Sequence, residues 1–247
     1  MQIITVAIQK GGTGKTTTAA AIAHAAVFRG YKALAVDLDP QGNLSLLTAA
    51  DTSGSGSYGL LQGEPAGDLI QHTPCGLDVI PANWNLSTIT SGRGSARRLQ
   101  KALQPLKRKY DLIVLDSPTQ AGELQYNALQ ASTGLIIPLQ AESFSIQSLY
   151  QMTDTAKQIQ QSNPALKISG FIFTMFETRS NLSRRMQELI MQQAEEMGVP
   201  YLGAVRAAVA VREAAAFQQS LYDYAPQSKP AQDYLEIFDR LQIGGTV

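Results

Sequence analysis

Nine consecutive residues, Gln9-Lys10-Gly11-Gly12-Thr13-Gly14-Lys15-Thr16-Thr17, have the make-up of a phosphate cradle. Glycines let backbone N–H groups close around phosphate oxygens, and the start of a following helix adds positive potential. Gly11, Gly12, Thr13 and Gly14 would line the cradle. Lys15 would reach the β- and γ-phosphates of a nucleoside triphosphate, and Thr16, beside Thr17, would hold Mg²⁺ through its hydroxyl. The general pattern is G-x-x-x-x-G-K-S/T. Here Gln9 takes the first glycine position and Lys10 adds a second lysine, too early in the loop to duplicate Lys15.

Two acidic segments complete the candidate site. Asp37-Leu38-Asp39-Pro40-Gln41-Gly42-Asn43 places carboxylates where an attacking water and Mg²⁺ need them. Leu112-Ile113-Val114-Leu115-Asp116 is four apolar residues and then an acid, which suits an aspartate holding Mg²⁺ through water.

These residues must be carried by strands and helices that bring them together. Ile3 to Ile8, Lys32 to Leu38, Leu112 to Leu115, Leu135 to Leu139, Ile168 to Thr174 and Tyr201 to Val205 read as short buried strands. Helices are expected over Lys15 to Phe28, Ala96 to Lys109, Ser145 to Gln161, Asn181 to Met197 with Asn181 as cap, Val209 to Phe217 and Ser228 to Leu241. Residues 51 to 67 are rich in serine and glycine and read as a mobile loop, with apolar structure resuming at Leu77. The alternation calls for an α/β fold: a mostly parallel twisted sheet with helices on both faces. Ligands in such sheets sit beyond the carboxyl ends of the strands, so Lys10 to Thr17, Asp39 and Asp116 should converge.

Composition narrows the function. The 247 residues suit one large domain or at most two small ones, and 44% hydrophobic content supplies a core. Twenty basic and twenty acidic side chains exclude binding nucleic acid through bulk positive charge. Cys75 is the sole cysteine, so neither a disulfide framework nor a multi-thiolate metal site fits within one chain. His24 and His72 lack partners at metal-ligand spacing, and Trp84 reads as a packing residue. No signal peptide and no run of roughly 18 apolar residues is seen, which points to a soluble, cytoplasmic protein.

The loop with its early lysine resembles the deviant Walker A motif of the ParA/MinD ATPases, a P-loop NTPase fold. The run from Asp37 to Asn43 looks like the D-x-D-P-Q-G-N switch segment of ParA proteins. Weaker likenesses, from Ser57-Tyr58-Gly59 to Tyr224-Ala225-Pro226, follow in ParA order, so the resemblance covers nearly the whole chain, residues 1–247, as a single ATPase domain. It is nearest to the short, Soj-like members. The strand begins at Ile3, which leaves no room for an N-terminal helix-turn-helix.

The resemblance implies ATP and Mg²⁺ as ligands, with no N/T-K-x-D motif to favour GTP. It implies a homodimer closed around two nucleotides, with Lys10 reaching across to the partner's phosphates. It places the water-orienting role on Asp39, ahead of Asp37, and a Mg²⁺ role on Asp39 and Asp116. After Asp116 the family usually continues with two prolines; here Ser117-Pro118-Thr119 lacks the second. Adenine contacts would come from Val205-Arg206-Ala207-Ala208. The resemblance further implies a DNA-partitioning switch, associated with the nucleoid and stimulated by a ParB-like centromere-binding protein. Arg179, in an R-S-N-L match, together with Arg206 and Arg212, would contact non-specific DNA.

Arg93 to Lys109 holds seven basic residues and no acid. Arg97, Lys101 and Arg108 would share one helix face, which suits either phosphate-backbone contact or an ordinary solvated surface. A MinD-like membrane switch needs a basic amphipathic C-terminal helix, whereas the last helix here carries Asp233, Glu236 and Asp239. An amidoligase-type synthase would need a carboxylate pocket, which no motif identifies.

Overall fold

The computed structural model describes residues 1–89 and 95–244. In chain order the elements are β1 (Gln2–Val6), α1 (Lys15–Phe28), β2 (Ala33–Asp37), α2 (Asn43–Leu47), α3 (Gly56–Gln62), β3 (Gln71–His72), β4 (Asp78–Ile80), α4 (Arg98–Leu103), β5 (Leu112–Asp116), α5 (Glu123–Ala131), β6 (Gly134–Leu139), α6 (Ser145–Gln160), β7 (Lys167–Phe176), α7 (Asn181–Glu196), β8 (Tyr201–Arg206), α8 (Val209–Ala216), α9 (Leu221–Tyr224) and α10 (Lys229–Arg240). The sheet order is β3-β4-β2-β5-β1-β6-β7-β8. Every pairing is parallel except β3 with β4, a short antiparallel edge. The expected fold class is the observed one.

The period of two along each strand sorts its side chains to opposite faces. Ile4, Val6, Ala33, Ala35, Leu112 and Val114 face α1 and α10. Ile3, Leu34, Val36, Ile113 and Leu115 face α3 to α5 on the other side. Small side chains meet where α1 crosses: Ala19, Ala23 and Ala26 lie over Ala33 and Ala35, all buried. An alanine-rich helix therefore sits close to the sheet, which sets the height of the loop that precedes it.

Several elements differ from expectation. Residues 56–62 form α3 rather than a loop, and Ala66–Leu69 adds a 3-10 turn. Leu60, Leu61 and Ala66 are buried, and that burial outweighs the local serine-glycine composition. Gly56 makes the entry possible, with φ +48 and no room for a Cβ beside the Pro81 carbonyl. The helix expected over 96–109 is broken: α4 ends at Leu103 and a 3-10 turn follows over Gln104–Leu106. Pro105 lacks the N–H that would continue it. Arg97, Lys101 and Arg108 are exposed but do not share one continuous helix, and Arg93 lies outside the described residues.

Helix α7 is capped by Ser180, whose hydroxyl accepts from Ser183 N at 3.2 Å, rather than by Asn181. Trp84 is 71% exposed and is not a packing residue. Helix α5 was not foreseen. Among the described residues no helix is long and apolar enough to cross a membrane.

Candidate functional site

The loop after β1 enters α1 through two glycines in the left-handed region, Gly12 at φ +73 and Gly14 at φ +78. L-residues with a Cβ rarely adopt that conformation, so glycines hold the turn. Two neighbouring strands pin it. The Thr174 hydroxyl donates to Thr13 O at 2.8 Å, and Gln140 Nε2 donates to Gly12 O at 3.1 Å. The first bond of α1 runs from Thr18 N to Gly14 O at 2.9 Å. Amides ahead of it have no intrahelical partner, which is the ordinary condition of a helix start and the basis of anion binding there.

Lys15 is the first residue of α1, and only 7% of it is exposed. Its ammonium donates to Lys10 O at 3.1 Å and to Thr119 Oγ1 at 2.8 Å. Burial pulls its pKa down, while the charges of Asp116 and Asp39 oppose that shift. Lys15 thus lies at the start of α1, within reach of the charges of both candidate acids. Lys10 instead forms an ion pair with Glu142, just past the end of β6. The two lysines of one loop serve two separate environments.

Asp116 ends β5 in register with Val6 of β1 and Asp37 of β2. It is fully buried, and neither carboxylate oxygen accepts a hydrogen bond of ordinary geometry. Burial, then the charge of Asp37, drives its pKa well up, with the nearby Thr16 hydroxyl and Lys15 opposing. An orphaned buried carboxylate is costly unless something else completes it. A divalent cation beside Thr16 would complete it. Among the described residues no cluster of three or more His, Cys, Asp or Glu side chains could hold a metal by itself. Mg²⁺ is commonly held by one or two protein groups, water and substrate phosphates.

The two acids of the segment from Asp37 to Asn43 have different surroundings. Asp37 is fully buried and accepts from Ser45 N at 2.8 Å, Ser45 Oγ at 2.7 Å and Asp39 N at 3.1 Å. It anchors α2. Burial raises its pKa to about 6 against those hydrogen bonds. Asp39 is half-buried, and its Oδ1 accepts from Gln41 N at 3.0 Å. It lines a cavity of about 430 Å³ together with Thr119, Glu123 and Trp84. Of the pair, Asp39 is the one open to solvent and to a reactant.

A second cavity, of about 390 Å³, is lined by Gly14, Thr17, Met175, Arg206, Ala208 and Arg212 among others. Arg206 and Ala208, the expected adenine contacts, thus share one pocket with the cradle. The Arg206 guanidinium is held by Asp233, to which its Nε donates at 2.9 Å, and its backbone N–H donates to the same carboxylate at 2.9 Å. Arg212 is exposed at the cavity rim. Arg179 is exposed on the turn before α7 and lines neither cavity. Sequence reasoning missed Thr119, Glu142, Gln140 and Thr174 as contacts of the loop. No motif marks them, because each reaches it from a distant strand end.

Known proteins resemble this chain closely enough to name its kin. A family model described as an AAA domain matches residues 1–168. The chromosome partitioning protein ParA of Myxococcus xanthus is 33% identical over 249 residues, covering 96% of this chain and 86% of that protein. The sporulation initiation inhibitor protein Soj of Bacillus subtilis is 31% identical over 253 residues, covering 99% of each. Among solved structures, a cobyrinic acid a,c-diamide synthase from Mycobacterium smegmatis, with bound ATP analogue and magnesium, has TM-score 0.83 and 29% identity, covering 97% of this chain and 93% of that one. With a phosphate loop of the two-lysine kind and a likeness to partitioning proteins that runs from one end to the other, the chain belongs to the ParA/Soj family of chromosome-partitioning ATPases.

Proposed function

We propose that this chain, as one ATPase domain over residues 1–247, is a nucleotide-operated switch for DNA segregation. It binds ATP, pairs with a second copy, associates with DNA without sequence preference, and is reset by hydrolysis. The observation that carries the reading is the different partnering of the two loop lysines: Lys15 bonds Lys10 O and Thr119, while Lys10 pairs with Glu142. A second cation in a phosphate loop, paired outside the cradle, suits a phosphate held by another subunit.

In this reading Lys15 binds the β- and γ-phosphates. Backbone amides from Lys10 to Thr17 surround them, and the cavity by Arg206 and Ala208 takes the base. Thr16 and Asp116, with Asp39 nearby, would hold Mg²⁺, whose charge offsets that of the phosphates. Asp39 orients the attacking water, and Lys10 acts on the partner's nucleotide. Pairing two copies doubles a weak DNA-binding surface, so avidity makes DNA binding follow the nucleotide state. Arg179 and Arg212, both exposed, are the stronger DNA contacts, because Asp233 neutralises much of Arg206. A ParB-like partner accelerates turnover and sets the cargo.

The match to a diamide synthase raises a second reading, ATP-driven amidation of a carboxylate. The cavity beside Asp39 disfavours it. Among the described residues its charged lining is Asp39 and Glu123, which would repel a carboxylate substrate.

The test is sedimentation with non-specific DNA in ATP, ADP or no nucleotide, at two salt concentrations. Co-sedimentation should require ATP and weaken with salt. Lys15→Ala should abolish nucleotide binding. Asp39→Ala should keep ATP-dependent pairing and lose hydrolysis. DNA binding indifferent to nucleotide, or an Asp39 variant with parental turnover, would overturn the reading.

A further inference from the structure

Thr119 lies on the segment after β5, 104 residues from the lysine it touches. It is half-buried, and its Oγ1 accepts from Lys15 Nζ at 2.8 Å. A hydroxyl accepts and donates at the same time. Here the accepting side is taken by the ammonium, and among the described residues nothing accepts the Thr119 proton. The ammonium has three N–H donors, and two are accounted for, by Lys10 O and Thr119 Oγ1. A phosphoryl group drawn in by Lys15 is therefore brought against a hydroxyl that already sits on the same cation and still has a proton to give.

The cavity decides which phosphate that is. Thr119 and Asp39 line the same 430 Å³ space. The cradle amides lie in the loop before α1, on the chain's entry to the helix. The space with Asp39 is where a terminal phosphate and its attacking water would stand if Asp39 orients that water. A nucleoside diphosphate has no phosphoryl group to send there.

We propose that the Thr119 hydroxyl is a γ-phosphate contact, donating to a γ-phosphoryl oxygen while it accepts from Lys15, and so helps the site to tell ATP from ADP. This rests on the reading of the cradle and Asp39 given above. It assigns a role to the position at which the ParA pattern would have its second proline, a residue with neither hydroxyl nor N–H to offer. The contact also couples the segment from Pro118 to Gly122 to the occupancy of the loop, because one side chain touches both.

The experiment compares Thr119→Val, which keeps the shape and removes the hydroxyl, with Thr119→Ser, which keeps the hydroxyl. Thr119→Ala is the second deletion if the valine variant melts early. Equilibrium dissociation constants of the full chain are measured for Mg²⁺ with a non-hydrolysable ATP analogue and for Mg²⁺ with ADP. One hydrogen bond to a charged group corresponds to about ten-fold to a hundred-fold in affinity. The valine variant should therefore lose at least about ten-fold for the triphosphate analogue and stay within about two-fold for ADP, with serine restoring the parental ratio. Equal losses for both nucleotides would make Thr119 a mere prop for Lys15 and overturn the assignment, as would no loss for either. If the parent binds neither nucleotide, the reading of the site itself fails and takes Thr119 with it. If the parent binds both and the valine variant discriminates as the parent does, the assignment alone is wrong.

Discussion

Glu142→Gln should tighten ATP-dependent pairing of the protein. In the single chain Lys10 is held by the Glu142 carboxylate, and under the proposed mechanism it must leave that partner to reach the other subunit's nucleotide. The side chains of Lys10 and Glu142 are 24% and 44% exposed, so water already screens the pair. Ion pairs of that kind are worth about 0.2–1 kcal/mol each. A twofold dimer breaks two of them, one per subunit, for a total of about 0.4–2 kcal/mol. Glutamine keeps the shape and removes the charge. The dimer dissociation constant should therefore fall by about two-fold to thirty-fold.

The assay is sedimentation equilibrium with Mg²⁺ and a non-hydrolysable ATP analogue. At high salt the gap between parent and variant should narrow, since screening weakens the pair in the parent. The effect should vanish in a Lys10→Ala background, where there is no lysine to release. Equal or weaker pairing by the variant would refute the reasoning, and so would tighter pairing that persists without Lys10.

Other consequences are independent of the dimer. His24, buried in α1, has its pKa lowered to about 4 by burial. Between about pH 6.5 and 4 the unfolded chain takes a proton that the folded chain refuses, so this contribution is whole above pH 6.5 and is lost as pH falls, by at most about 3 kcal/mol. His24→Gln should flatten that part of a urea-denaturation profile; a variant losing stability from pH 6.5 to 5 as steeply as the parent would contradict it. Gly56→Ala would put a Cβ 2.1 Å from Pro81 O, whereas Gly63→Ala at φ +98 meets nothing within 4 Å. The first should cost roughly 2–4 kcal/mol and the second about 1–2 kcal/mol in urea melts, and equal costs would mean the Pro81 contact is irrelevant. Asp233→Ala should lower the melting temperature by removing the acceptor for both Arg206 Nε and its backbone N–H, at about 1–2 kcal/mol, with Asp233→Asn intermediate. An asparagine variant as unstable as alanine would assign the effect to charge rather than to hydrogen bonding.

What could be read from the chain follows the range of the interactions. The apolar run, glycine turn and helix start that make the phosphate loop are neighbours in sequence, so their residue types and spacing suffice. Asp116 is legible for the same reason, as the acid that ends a buried strand. Asp37 and Asp39 were ranked by resemblance. The structure shows a difference in their surroundings: Ser45 bonds Asp37, whereas Asp39 is half-buried at a cavity. Helix α5 is hard to read from sequence because its buried side mixes apolar and polar residues: Leu124, Ala128 and Ala131 join the core, and Gln125, Asn127 and Gln130 are buried beside them. Buried Asn127 accepts from Leu99 N at 3.2 Å, and buried Gln130 donates to Ser162 O at 3.1 Å, so polar residues blur the short apolar stripe. Helix α3 was hidden by serines and glycines whose flexibility is overcome by the burial of Leu60 and Leu61.

The amino-acid sequence by itself determined the strand-helix alternation, the side chains that face each side of the sheet and the local build of the phosphate cradle. Those depend on periodicity and on neighbouring residues, which a linear pattern records. The tertiary structure alone decided where each loop lysine points. Glu142 lies 132 residues from Lys10 and Thr119 lies 104 from Lys15, and only the parallel sheet, by gathering its strand ends at one edge, brings such groups within hydrogen-bonding distance.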